Sequence, residues 1–137
     1  MQKTRGASLP GYLALIVVIA IAVYLLAPYI LGNSKQQNLH KVRNDILAIR
    51  DAVSQYKLDN DMYPTTEQGL NALVVQPTLE PVPPYWNSKG YISNLPQDPW
   101  GQPYQYTNDD GAIRIFSFGP DGKQGGNEID LTNLDKQ

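Results

Sequence analysis

An uninterrupted apolar run, YLALIVVIAIAVYLLAPYIL from Tyr12 to Leu31, restricts this chain more than any other feature. It carries no charge and no strongly polar side chain. As a helix rising roughly 1.5 Å per residue, a stretch of this length crosses a hydrocarbon core of roughly 30 Å. The apolar region of a secretory signal peptide is shorter, about 7–15 residues, and closes on a small-x-small cleavage site. No such site follows Leu31, so the run reads as a span retained in the membrane. The preceding flank, MQKTRG, holds Lys3 and Arg5, whereas every acidic residue stands at Asp45 or later. The bias of basic residues toward the cytoplasm then places the N-terminus inside and the rest of the chain outside. Lys35, Lys41 and Arg43, just past the run, pull against that orientation.

Two prolines mark the helix. Pro10 falls near its start, where a missing N–H costs little. Pro28 lies inside the run and removes one backbone hydrogen bond, so a kink or local opening is expected there. It is either a proline tolerated in a membrane helix, its freed carbonyl satisfied locally, or a hinge used on packing.

The remainder of the 137 residues, about one hundred, suffices for one compact domain in water. The absence of cysteine excludes disulfides, thiolate metal sites and a Cys nucleophile. The single histidine, His40, gives a His-based metal cluster or a Ser-His-Asp triad little to build on. A formal net charge of −2, with no basic stripe, disfavours nucleic acid as a partner. No nucleophile–base pair, phosphate loop or convergent acid pair is visible, which argues against an enzyme.

Gly32-Asn33-Ser34 has the composition of a linker, yet periodicity resumes at once. Leu39, Val42, Ile46, Ile49, Val53 and Tyr56 recur at spacings of three and four residues, predicting an amphipathic helix to about Leu58. His40 falls near its start as a solvated side chain. Asp59-Asn60-Asp61 and the Tyr63-Pro64 pair end it. Thr65-Thr66-Glu67-Gln68 matches a capping box, and a short helix from Thr66 to Val75 is expected, with Leu70, Leu73 and Val74 inward. Residues 76–90 contain four prolines and read as an irregular loop, packed on the core by Tyr85 and Trp86. Asp98-Pro99-Trp100-Gly101 has the residues of a type I turn. Tyr104–Thr107 and Ala112–Phe118 read as hairpin strands about a turn of roughly four residues, Asn108–Gly111. A glycine-rich stretch, GPDGKQGGNEID, and a polar tail follow. Helices with a small antiparallel sheet make this an α+β domain.

Three blocks carry a family resemblance: YKLDNDMYPTTEQGLNALV (Tyr56–Val74), YISNLPQDPWGQPYQY (Tyr91–Tyr106) and IFSFGPDG (Ile115–Gly122). The chain resembles the major pseudopilin of the type II secretion system, the general secretion pathway protein G family of the type IV pilin-like superfamily. The resemblance implies a long N-terminal helix, transmembrane then amphipathic, packed on a small antiparallel β-sheet with a short helix and a C-terminal calcium loop. It implies a leader over residues 1–6, cut by prepilin peptidase after Gly6 on the cytoplasmic side, with Ala7 as the new and usually methylated N-terminus. Residues 7–34 would then form the transmembrane and filament-core helix, and residues 35–137 the periplasmic domain. The implied partners are membrane lipid before assembly, other pseudopilin subunits in a homopolymer, and the inner-membrane secretion platform.

The start of the implied mature chain departs from the family's pattern. Ala7-Ser8-Leu9-Pro10-Gly11 stands where the family has a Phe-Thr-Leu-Leu-Glu type of run, so Gly11 has no carboxylate to meet a neighbouring subunit's amine. Weakened self-assembly is the expected consequence. In the glycine loop the resemblance implies a structural Ca²⁺ held by the Asp121 side chain and the Phe118 and Lys123 carbonyls. Its two later acids fall on Asn127 and Glu128, with Asp130 in reserve; oxygen donors of this mix suit a hard cation. Read without the resemblance, the stretch is a solvated glycine loop lacking EF-hand spacing. The competing readings are a minor pseudopilin or type IV pilin-like subunit, which the missing carboxylate favours, and a monomeric membrane-anchored calcium-binding module.

Overall fold

A computed structural model of the chain describes the backbone of residues 9–134, and side chains at 11–27 and 34–132. Its elements run α1 (Leu9–Asn60), a 3₁₀ turn (Leu70–Leu73), β1 (Gln105–Asp109), β2 (Ala112–Phe116) and α2 (Leu131–Leu134). The chain divides between Gln37 and Asn38 into two compact units, so the 52 residues of α1 are shared between them.

In the first unit every described side chain from Tyr12 to Leu26 is exposed. Among the described residues no helix is long and apolar enough to cross a membrane. The expected span runs on through residues whose side chains, at 28–33, lie outside the described set. The backbone of Pro28 remains within α1. Gly6 and Ala7 lie outside the described residues, and Gly11 occupies an exposed position in α1.

The second unit follows its amphipathic pattern. Val42, Ile46, Ile49, Val53 and Tyr56 are at most 1% exposed and form the base of the core. Leu70, Leu73, Tyr104, Tyr106 and Ile115 pack onto them. Burying one such aliphatic side chain contributes about 1.5–3 kcal/mol, so this stripe fixes which face of the helix receives the rest of the domain. Asp61, at φ 58°, closes α1 by donating its N–H to the Lys57 carbonyl at 2.8 Å.

The capping box forms: the Gln68 N–H donates to Thr65 Oγ1 at 3.1 Å, and the Thr65 N–H to Gln68 Oε1 at 3.0 Å. The α-helix expected from Thr66 to Val75 does not follow it. Gly69 takes φ 59° and ψ −166°, a left-handed, extended corner that ends the first turn, so only the 3₁₀ turn at Leu70–Leu73 remains. Leu70 and Leu73 are buried as expected, whereas Val74 is half-buried.

Over residues 76–90 the expected pair of aromatic anchors separates. Trp86 is half-buried and donates Nε1–H to the Ala72 carbonyl at 2.9 Å, while Tyr85 is 73% exposed. Only Trp86 has a carbonyl within reach, and an aromatic with a polar tip goes where that tip is satisfied.

The DPWG turn closes with the Gly101 N–H donating to the Asp98 carbonyl at 3.0 Å. The hairpin is tighter than expected. Asp109 pairs with Ala112, so the turn is the two residues Asp110 and Gly111, at φ 47° and 92°. Two positive φ values belong to a type I′ turn, whose twist suits antiparallel strands, and Asp-Gly is one of its preferred pairs. β1 and β2 form a two-stranded sheet. Beyond β2, Ser117 pairs with Ile129 in both directions at 2.9 Å, and the short α2 replaces part of the expected polar tail.

Candidate functional site

Two regions carry features that folding alone does not account for. The first is the helix of unit one. Its described large apolar side chains stand in solvent all around the helix: Ile16 is 59% exposed, Val18 63%, Ile21 53% and Leu25 65%. A helix apolar on every side is a buried element.

The second is the C-terminal glycine loop, reached through a buried polar joint. Asp98 is 4% exposed, and its Oδ1 accepts the N–H groups of Trp100 at 3.0 Å and Gln102 at 2.8 Å. Its Oδ2 accepts the hydroxyl of fully buried Ser117 at 2.5 Å, and Ser117 Oγ in turn accepts the Gly119 N–H at 2.9 Å. The DPWG turn thereby fixes where the loop begins. A burial this complete is tolerated because each polar atom has a partner.

Within the loop, Asp121 is exposed but folds its carboxylate back onto the loop's own atoms. Its Oδ1 accepts the Lys123 N–H at 3.2 Å, and Asn127 Nδ2 lies 3.5 Å from its Oδ2. A Cβ at Gly126 would collide with the Asp121 carboxylate, and one at Gly119, where φ is 77°, with the Asn127 carbonyl. Glycine at both positions is what lets Asp121 and Asn127 meet. Lys123 offers its carbonyl to the Gly126 N–H at 3.3 Å, and the Phe118 ring packs edge-on against Phe116 with centroids 5.7 Å apart.

Glu128 faces elsewhere. Its Oε1 accepts the Gly125 N–H at 2.9 Å and its Oε2 pairs with Arg114 at 2.9 Å. The Gly125 N–H, reinforced by Arg114, holds the Glu128 carboxyl below the usual carboxylate range against the opposing effect of desolvation. Asp130 pairs with Arg114 Nε at 3.0 Å. Partial burial would lower the Arg114 pKa, but hydrogen bonds to Asp130 and Glu128 outweigh it and raise the pKa. Of the expected cation ligands, then, Asp121 and Asn127 are brought together, and Glu128 and Asp130 are turned to β2. Among the described residues no group of three or more His, Asp or Glu side chains is placed to hold a metal ion. An oxygen-rich loop centred on Asp121 and Asn127 fits a hard cation in part, with Glu128 able to join only by leaving Arg114.

Sequence reasoning missed the Arg114 clamp and the Asp98–Ser117 joint. Arg114 alternates outward on a strand, which alone marks a solvated residue, and its two acids lie 14 and 16 positions away. The joint had one visible signal: Asp98 opens the turn whose Gly101 N–H its own carbonyl accepts.

Comparison with known proteins agrees across fold and sequence. Residues 29–134 match the family described as type II secretion system (T2SS), protein G. A type II secretion system core protein G from Pectobacterium carotovorum subsp. carotovorum is 43% identical, covering 98% of this chain and 88% of the relative. The Aeromonas hydrophila protein of the same name is 46% identical, over 91% of this chain and 90% of that one. The crystal structure of the major pseudopilin from the type 2 secretion system of enterohaemorrhagic Escherichia coli superposes with a TM-score of 0.71 at 45% identity. That match covers 75% of this chain and 89% of the other.

Proposed function

The chain belongs to the type II secretion system protein G family, and from that premise we propose that it is a structural subunit of the pseudopilus rather than an enzyme. Subunits polymerise into a periplasmic filament that helps drive folded proteins across the outer membrane. The observation that carries this reading is the exposure of every described side chain from Tyr12 to Leu26 on a helix joined to a pseudopilin domain. The apolar run Tyr12–Leu31 rests in the inner membrane before assembly, with the N-terminus cytoplasmic and the domain periplasmic. In the filament the same side chains are covered by the helices of neighbouring copies. Prepilin peptidase cuts between Gly6 and Ala7, and the new N-terminus is methylated.

Asp121 and Asn127, with the Phe118 and Lys123 carbonyls, are the groups that would hold a Ca²⁺ at the glycine loop, and Glu128 would add to them only by giving up Arg114. When bound, the ion supplies fixed positive charge that pins the loop. The chain's own contribution is the glycine backbone at 119 and 126, which lets the donors converge.

Expression in a strain lacking its own major pseudopilin tests the central reading. Sheared filaments containing the chain and restored secretion support it; a membrane-bound monomer with no filaments overturns it. Chelator treatment tests the cation: the domain's melting temperature falls if Ca²⁺ pins the loop, and an unchanged melt with no bound calcium removes the ion from the account. Replacing Gly11 by Glu restores a carboxylate at the helix start and is expected to raise filament yield. An unchanged yield would show the carboxylate dispensable in this chain.

A further inference from the structure

In the second unit, Leu47 and Leu58 on α1 are exposed singly, and the other described large apolar side chains left in solvent gather on one loop. Val75, Leu79, Val82 and Tyr85 are 55%, 56%, 40% and 73% exposed. The loop is nevertheless tied down. Gln68, itself 7% exposed, donates from Nε2 to the carbonyls of Leu79 at 2.7 Å and Pro81 at 3.0 Å. Asn60, 2% exposed, accepts the Tyr85 N–H on Oδ1 at 2.9 Å, and Pro83 is fully buried between them. Two buried amides thus hold the backbone while the apolar side chains point outward. A solvent loop needs no such tethers; a preformed binding element does, because ordering it beforehand lowers the entropic cost of association. Glu80 sits among these side chains, exposed, its Oε2 accepting the Val82 N–H at 3.1 Å.

The same domain holds a cavity of about 230 Å³ between α1, β2 and α2. Its floor is aliphatic: Ile46 and Ile115 are buried, and Ile113 and Leu131 half-buried. Arg50, Arg114 and Asp130 supply the charged part of its lining. Arg114 is committed to Glu128 and Asp130, whereas among the described residues nothing engages the guanidinium of exposed Arg50. A ligand for this site is therefore a branched aliphatic group beside a single carboxylate. The tethered loop presents that combination.

We propose that the Leu79–Val82 loop of one copy seats in the Arg50 cavity of a second copy, the aliphatic side chains on the isoleucine floor and Glu80 against Arg50. The inference rests on the filament reading above. Because the two surfaces are different patches of one chain, the contact is heterologous, and its repetition extends an open assembly instead of closing a pair.

The chain has no cysteine, so paired thiols can be introduced without background. In the full chain, expressed with the secretion machinery, Leu79→Cys and Thr132→Cys are combined and treated with a short bis-maleimide. A ladder of trimers and longer multimers, seen only when both substitutions are present, supports the contact. Filaments without the ladder overturn the contact and leave the filament reading standing; absence of filaments from the unsubstituted chain overturns both. Crosslinks to a different envelope protein alone also overturn the contact. Charge reversal gives an independent arm at two exposed positions. E80R and R50E are each expected to lower filament yield about tenfold, and the double reversal to recover it. A double variant no better than the worse single one, with domain melting temperatures unchanged, overturns the pairing.

Discussion

The two halves of α1 use the same backbone and the same kinds of residue to opposite ends. From Tyr12 to Leu26 apolar side chains occupy every face and all are exposed. From Leu39 to Tyr56 they return every three or four positions, and Val42, Ile46, Ile49 and Val53 vanish into a core. The domain half also carries polar anchors. Lys41 Nζ donates to the Gln97 carbonyl at 2.7 Å, and Asp45 accepts the Tyr104 hydroxyl at 2.8 Å. A stripe can be satisfied by its own domain, whereas a full cylinder cannot. The first half therefore commits the chain to an outside partner, and the second commits it to a fold.

Substitutions divide the two roles. Ile49→Ala opens a cavity in the domain half and is expected to cost about 2–5 kcal/mol in denaturant unfolding of the detergent-solubilised chain. Its counterpart Ile21→Asp should leave that unfolding curve unmoved. With the apolar run in the membrane as proposed above, it weakens insertion instead, by about 2.5–3.5 kcal/mol, read as loss from the membrane fraction. If Ile21→Asp destabilised the domain as Ile49→Ala does, the division of labour between the halves would be wrong.

A smaller effect is expected where α1 meets β1. Asp45→Ala leaves the Tyr104 hydroxyl without its acceptor and should cost about 1–2 kcal/mol. Alkaline pH probes the same face. Burial raises the Tyr104 pKa, with Asp45 adding to it, and burial raises that of Tyr106, whose hydroxyl donates to the Pro64 carbonyl at 2.9 Å. A raised folded pKa contributes stability that is complete below the unfolded tyrosine value of about 10 and is lost as pH rises beyond it. Unfolding midpoints should thus fall above about pH 10, less steeply in Tyr104→Phe.

The smallest change is expected at Tyr56, fully buried on the domain half. Its hydroxyl has no hydrogen-bond partner among the described residues, and burial raises its pKa. Removing a buried donor that has no acceptor should be neutral or stabilising by up to about 1 kcal/mol in Tyr56→Phe. A marked loss of stability would mean that a buried water satisfies the hydroxyl in the folded state.

Local chemistry was legible where it acts over a few residues. The Thr65–Gln68 box, the Asp98–Gly101 turn and the buried face of α1 follow from spacing, since each is closed by neighbours in sequence. Reading went astray where a local preference met a competing constraint. Gly69 stopped the helix that the capping box began, and Asp110-Gly111 formed a tighter turn than Asn108–Gly111 suggested. Tyr85 and Trp86 are equivalent by composition, but only one of them found a carbonyl under the loop.

The sequence alone determined that this chain carries an apolar helix needing cover and one cysteine-free α+β domain, because both follow from periodicity and composition over a continuous segment. Family membership was readable too, from three blocks of local motif. Tertiary structure decided what the long-range partners are: Glu128 and Asp130 on Arg114, Ser117 on Asp98, Gln68 and Asn60 beneath the exposed loop. Those choices depend on which charges and amides folding brings within about 3 Å of one another, a distance that no spacing along the chain encodes.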